Sequence, residues 1–371
     1  MIKSVYVAAT SQHVGKTTCT LGLVAALRQH GARVGYCKPV GQEFMDLGDL
    51  RVDKDALLFS QIMNFDLSAE IHSPVILGHG ATTAYLDDPK SFDYRGRILN
   101  ASRHLQDEYE SVVYEGTGHP GVGSVVDLSN ADVAHLVNAG VIIIVEGGIG
   151  NTIDRLSLCL SKFRERDVPI LGVIINKTLP EKMDKVEHYI GRWLNQKNLA
   201  LLGVLPYDKS LSNPIMATIL DAVQGRVLAN EDRLDNRVED FISGSLIGTE
   251  DLSEKQNLLL VVSHKRLSEA MDKIKQTADL TNESSPISGV IVTGDGRHIM
   301  PVEHSPNFDE YIERYRIPVL TTALDTLGSV VKISRIEVKI NTRTPWKAVR
   351  AIELIKKHVN LNAILESSLL R

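Results

Sequence analysis

The chain holds only three cysteines in 371 residues, Cys19, Cys37 and Cys159. They lie far apart, so they form no metal-ligand spacing and imply no disulfide framework. Cys19 and Cys37 read as small core residues. A long apolar run is also missing. The longest, around residues 140–145, falls far short of the ~20 residues that span a bilayer. Basic excess is absent too: 41 Lys and Arg face 46 Asp and Glu, for a formal net charge of −5. That balance carries no global footprint for nucleic acid or an anionic membrane, and neither is expected as a partner. No secretory leader pattern opens the sequence, and a cytoplasmic location is expected. No internal repeat or low-complexity tract stands out.

What is present is an ordinary globular composition, 43% hydrophobic and 23% charged. The length suggests about two or three domains and is ample for a sizeable core. Up to about residue 205, apolar Val/Ile/Leu runs alternate with helical patterns. Strands are predicted at 4–8, 34–37, 111–114, 140–145, 170–175 and 201–204. Such unbroken apolar runs suit parallel strands buried on both faces. The expected fold is α/β: a doubly wound, mostly parallel sheet with ligands at the carboxyl ends of its strands.

Composition shifts after Leu205-Pro206-Tyr207. Residues 214–226 look helical, 230–240 are charged, and strands are predicted at 256–262, 289–293 and 319–321. Residues 278–288 read as a polar surface loop. A second, smaller α/β domain is therefore expected, giving divisions at 1–207, 208–340 and 341–371. Residues 332–358 hold eight Lys and Arg against Glu337 and Glu353. Trp346, Val349, Ile352 and Ile355 recur there at helical spacing, which reads as a docking helix with a solvated basic face.

The most informative segment is Ala9-Thr10-Ser11-Gln12-His13-Val14-Gly15-Lys16-Thr17-Thr18. It follows the strand-like Val5-Tyr6-Val7-Ala8 and precedes a helical pattern over 19–29. Strand, tight loop and a helix opening on Gly-Lys-Thr form a phosphate-binding loop of the P-loop NTPase type. Backbone N–H groups of Val14, Gly15, Lys16, Thr17 and Thr18 would converge on an anion. Lys16 would reach the β- and γ-phosphates of ATP, and the Thr17 hydroxyl would ligate Mg²⁺. Thr10 stands where the motif usually has its first glycine, so the loop must turn without one there.

Other polar residues sit at predicted strand ends. Lys38, in Tyr36-Cys37-Lys38-Pro39-Val40, is placed to neutralise charge developing in phosphoryl transfer. Lys16 and Lys38 are thus the candidate catalytic residues. Glu115 opens Glu115-Gly116-Thr117-Gly118-His119-Pro120-Gly121 and suits Mg²⁺ ligation. Asp55 either adds a second carboxylate to that metal or caps a helix. Asn176, in Asn176-Lys177, can pair with an adenine edge. His119 reads as a loop residue, since no catalytic partner is identifiable.

Together with Asp55-Ala56-Leu57, Ser73-Pro74 and Leu202-Gly203-Val204-Leu205-Pro206, these strings resemble dethiobiotin synthetase over the first 207 residues. The resemblance implies phosphate binding at Gly15, Lys16 and Thr17, Mg²⁺ at Thr17, Asp55 and Glu115, substrate activation by Lys38, and adenine contact at Asn176. The longer pattern through Gly121-Val122-Gly123-Ser124 and Asp127-Leu128-Ser129-Asn130-Ala131 is more similar to the N-terminal region of long phosphotransacetylases. The stretches 289–294, 316–321 and 325–328 resemble the DRTGG domain of those proteins, although the eponymous string is absent. The resemblance implies an ATP-binding, slowly ATP-hydrolysing homodimer whose second domain senses a small-molecule effector, without acetyl transfer by this chain. Two other functions stay open: an ATP-dependent ligase activating a carboxylate or carbamate, and a structural partner-binding module. A glutamine-dependent amidation enzyme of the cobyrinate type is not expected, because no cysteine follows residue 207 to serve a glutaminase.

Overall fold

A computed structural model describes residues 4–48, 50–243, 256–280, 285–302 and 306–364, with the backbone alone for 277–280. The chain divides into two compact units, Met1–Asp208 with Ile340–Arg371, and Lys209–Lys339.

In the first unit the order is β1 (Ser4–Ala9), α1 (Lys16–Gln29), β2 (Val34–Cys37), β3 (Val40–Gly41), β4 (Phe44–Leu47), β5 (Leu50–Asp53) and α2 (Lys54–Met63). There follow α3 (Ala69–His72), β6 (Val75–Ile76), α4 (Ala81–Asp87), α5 (Tyr94–Glu108), β7 (Ser111–Glu115), α6 (Asn130–Leu136), β8 (Gly140–Glu146), α7 (Gly150–Glu165), β9 (Ile170–Thr178), α8 (Met183–Gln196) and β10 (Leu201–Pro206). The six predicted strands form one sheet in the order β10-β9-β8-β1-β7-β2, and every neighbouring pair is parallel. Tyr6 in the middle of β1 pairs with Tyr114 on one side and Val141 on the other. Chain order reverses around β1, and α/β sheets hold ligands at the carboxyl ends of the strands at such a point. The strands are buried along nearly their whole length, as their unbroken apolar runs require. All three cysteines are buried and free; burial pushes the thiols of Cys19 and Cys159 up to about 12.

The second unit holds α9 (Lys209–Ser212), α10 (Met216–Ala222), β11 (Arg226–Ala229), β12 (Asp240–Ser243), β13 (Leu258–Ser263), α11 (Leu267–Leu280), β14 (Ile287–Thr293), α12 (Pro306–Tyr315), β15 (Val319–Thr322) and α13 (Thr326–Ser334). Its sheet runs β11-β15-β14-β13-β12, parallel except for β11. Side chains alternate along β13: Leu258, Leu260 and Val262 pack with α11 and α12, while Leu259 and Val261 pack with α10 and α13. The helix expected over 214–226 is shorter, because the chain has already entered β11 at Arg226. Of the loop expected at 278–288, Ile287 and Ser288 are buried residues of β14, and 281–284 lie outside the described residues.

The described part of residues 341–371 belongs to the first unit. There α14 (Pro345–His358) packs on α1. At Gly22 the two helices come so close that a Cβ would lie 2.4 Å from Ile355 Cγ1 and 2.9 Å from the Ala351 carbonyl oxygen. Beyond α14, Asn360 N–H donates to the Leu202 carbonyl at 2.8 Å, covering the edge strand β10. The buried residues of α14 are Lys347, Ala348, Ala351, Leu354 and Ile355; of the stripe read from apolar residues, Ile355 is among them, Trp346 and Ile352 are half-buried and Val349 is exposed. Val349 is 58% exposed, whereas Lys347 is wholly buried.

Candidate functional site

The loop between β1 and α1 takes an unusual course. Thr10 N–H still donates to the Ile144 carbonyl at 3.0 Å, so the sheet continues where a glycine turn is customary. The turn comes later, at His13 (φ 59°) and Gly15 (φ 88°), both left-handed. Gly15 is the N-cap of α1 and makes no side-chain cap, which leaves the first-turn amides to an anion. A side chain is excluded at Gly15 on two counts. Its φ favours glycine, and a Cβ would lie 2.2 Å from Asn176 Nδ2.

Three strand ends deliver the remaining groups. Glu115, fully buried at the end of β7, accepts a hydrogen bond from Thr17 Oγ1 at 2.7 Å and one from Tyr36 OH at 3.3 Å. Lys16 Nζ donates to the Gly118 carbonyl at 3.2 Å. Lys38, just past β2, places Nζ 2.6 Å from Asp55 Oδ2 and 3.3 Å from Glu115 Oε1. Burial opposes the Lys38 charge, but Asp55, Glu115 and Asp53 together hold its pKa well above the usual lysine value. Burial raises the Glu115 pKa, against the pull of Lys38. The structure therefore gathers Lys16, Thr17, Lys38, Asp55 and Glu115 in one place, with Val14 on the loop and Thr18 in the first turn of α1 beside them.

The structure places two more of the candidate residues, and of the two readings of Asp55 it removes the helix cap. The cap of α2 is Asp53, whose Oδ1 accepts from Asp55 N–H at 2.8 Å; Asp55 is the second residue of the helix, with its carboxylate on Lys38. Asn176 is 8% exposed and its Nδ2 donates to the Val14 carbonyl at 2.8 Å, so that amide is turned toward the loop. His119 is exposed, and its Nδ1 accepts from Gly121 N–H within its own loop.

Sequence reasoning missed Asn130. This buried side chain accepts from Tyr6 OH (2.8 Å) and Thr117 N–H (3.0 Å) and donates to the Thr117 and His119 carbonyls, fixing the loop after Glu115. Its place at the start of α6, 15 residues beyond Glu115, carried no signal of that role. Arg155 of α7, also missed, donates to Ser11 Oγ at 3.1 Å.

The donor set of Thr17, Asp55 and Glu115 is all oxygen, which fits a hard cation such as Mg²⁺ that keeps several waters. Among the described residues no group of three or more His, Cys, Asp or Glu is arranged to hold a metal by itself. Thr10 Oγ1 and Thr178 Oγ1, at the carboxyl ends of β1 and β9, are buried without a hydrogen-bond partner, as polar atoms bordering a ligand site can be. No helix among the described residues is long and apolar enough to cross a membrane.

A parallel sheet with a Gly-Lys-Thr loop at the switch point defines a P-loop nucleotide-binding fold. Residues 3–215, more than half of the chain, match the family described as AAA domain (AAA_26), and the chain belongs to that family. It is 22% identical over 374 residues to a phosphate acetyltransferase of Synechocystis, covering 98% of this chain and 52% of that one. It is 26% identical over 243 residues to a probable cobyric acid synthase of Methanothermobacter thermautotrophicus, covering 57% of this chain and 46% of the relative. The chain thus spans about half the length of the curated relatives it matches. Among solved structures, the MinD cell division protein of Aquifex aeolicus is 13% identical at a TM-score of 0.37, covering 56% of this chain and 84% of that one.

Proposed function

We propose that the first unit binds ATP with Mg²⁺ at the loop 10–18 and hydrolyses it slowly. The second unit, with its DRTGG-like sequence, would sense a small-molecule effector, and the protein would work as a homodimer. The observation that carries this reading is the contact of Thr17 Oγ1 with Glu115, next to Lys16 and the left-handed Gly15. It brings a hydroxyl, a buried carboxylate and an anion cradle to one strand end.

Mg²⁺, when bound, would polarise a phosphoryl oxygen. The chain's own residues would do the rest. Thr17 and Glu115 would orient the cation, the loop amides would hold the phosphates, and Lys38 would stabilise negative charge beside them. Lys38 also favours a second reading, an ATP-dependent ligase. Its ammonium is almost fully buried between two carboxylates, where a charge on a second substrate could be matched. Phosphate release measured with and without Mg²⁺ tests the proposal. Slow Mg²⁺-dependent release with ATP alone supports the ATPase; release only with an added carboxylate or amine supports the ligase.

A further inference from the structure

Two consecutive residues at the end of β9 grip two consecutive carbonyls of the phosphate-binding loop. Asn176 Nδ2 donates to the Val14 carbonyl, and Lys177 Nζ donates to the His13 carbonyl. Lys177 is steadied from the other side by Glu146 at the end of β8, with Nζ 3.6 Å from Oε1. Glu146 and Asn176 pair in the register of these strands, and Gly147 N–H donates to the Asn176 carbonyl at 2.7 Å. Lys177 itself is left-handed (φ 55°) within a strand, a conformation that costs free energy and collects at functional sites.

We infer that Asn176 and Lys177 form a clamp that orients the loop amides for a polyphosphate, rather than a reader of the base. In a planar trans peptide the carbonyl and the following N–H point in opposite directions. A carbonyl of His13 drawn toward β9 turns the Val14 N–H away from β9. A carbonyl of Val14 drawn the same way turns the Gly15 N–H away as well. Two successive amides then share one side of the loop, the arrangement that makes an anion-binding nest. The left-handed φ values of His13 and Gly15 alternate around Val14 in keeping with such a nest. The clamp also accounts for a loop that folds without a glycine at position 10. The shape that glycines usually permit is imposed here from β9. Asn176 and Lys177 are positioning residues on this account, and the inference rests on the proposed nucleotide site.

Inorganic triphosphate carries the charge of ATP without its base, and so separates the two roles. We would titrate wild type, Lys177→Met, Lys177→Arg and Asn176→Ala with ATP and with inorganic triphosphate, checking each fold by its thermal melt. Lys177 is partly exposed, so Lys177→Met tests the clamp even if the buried Asn176 variant does not fold. The clamp predicts that Lys177→Met and Asn176→Ala weaken both ligands by the same factor, on the order of tenfold for one lost hydrogen bond. Lys177→Arg, which keeps a donor, should recover most of the affinity. Loss of ATP affinity with unchanged triphosphate affinity would make the pair a base reader and overturn the clamp. Unchanged affinity for both ligands would overturn it while the nucleotide site stands. A folded wild type that binds neither ligand would remove the nucleotide site, and the clamp with it.

Discussion

Lys38 and Asp55 form an ion pair of 2.6 Å, with Lys38 almost wholly buried and Glu115 a further 3.3 Å from the same ammonium. Asp53 lies in the same buried cluster as the cap of α2. One lysine thus faces three carboxylates, more negative charge than it can offset in a region of low dielectric.

The cluster predicts a pH dependence of stability. Burial, reinforced by Asp55 and opposed by Lys38, raises the Asp53 carboxyl to about 7. An unfolded aspartate titrates near ~4. Between those values the unfolded chain has lost a proton that the folded chain keeps, so stability falls as pH rises through the window. Asp53→Asn keeps a good cap and removes the proton. Melting temperatures from pH 4.5 to 7.5 should therefore decline less in Asp53→Asn than in wild type. Parallel curves would show that Asp53 does not titrate there.

The contact of α1 with α14 predicts a packing defect. Gly22→Val would drive its side chain into Ile355 and the Ala351 carbonyl. Overpacking of this kind costs about 1–3 kcal/mol. Val349→Ser, on the exposed face of α14, should stay within about 0.5 kcal/mol of wild type. Urea denaturation of both variants measures the difference.

The metal reading predicts a split between binding and turnover. Glu115→Gln keeps the shape but removes the anionic oxygen nearest Thr17. Mg²⁺-dependent phosphate release should fall by more than tenfold, while ATP affinity falls less. An unchanged rate at saturating Mg²⁺ would take Glu115 out of the metal site.

Base choice follows from what stands beyond the clamp. The guanine-reading pattern Asn-Lys-x-Asp would need an aspartate at position 179, where the chain has Leu179, 43% exposed. ATP should be bound more tightly than GTP, and competition titrations that favour GTP would reverse this.

Much of the first unit is legible in the residues because its strands are buried on both faces. The run 140–145 can be little else, and it forms β8 almost to the residue. Short, half-exposed elements leave no such trace. The hairpin of β4 and β5, and the edge strands β11 and β12, carry charged residues on open faces, and no strand is expected at any of them. Strand-end positions pointed to Lys38, Glu115 and Asn176, since parallel sheets present polar groups there. They could not show which way a side chain turns. The rotation of Asn176 onto Val14, and the clasp of Asn130 on Thr117 and His119, depend on contacts across 162, 13 and 11 residues of chain. The buried face of α14 is legible only in part: Ile355 lies inside as read, but Lys347 lies wholly inside while Val349 lies outside.

Calorimetric titration of ATP·Mg²⁺ into wild type and Lys16→Ala tests the central claim most directly. Lys16 is the cation that the loop places for the β- and γ-phosphates, and it rests now on the Gly118 carbonyl. Losing a charge-assisted contact costs about 1.5–3 kcal/mol, so wild type should bind and Lys16→Ala should bind roughly tenfold to more than a hundredfold more weakly. Equal affinity in the two proteins, or no binding by either, would contradict the account.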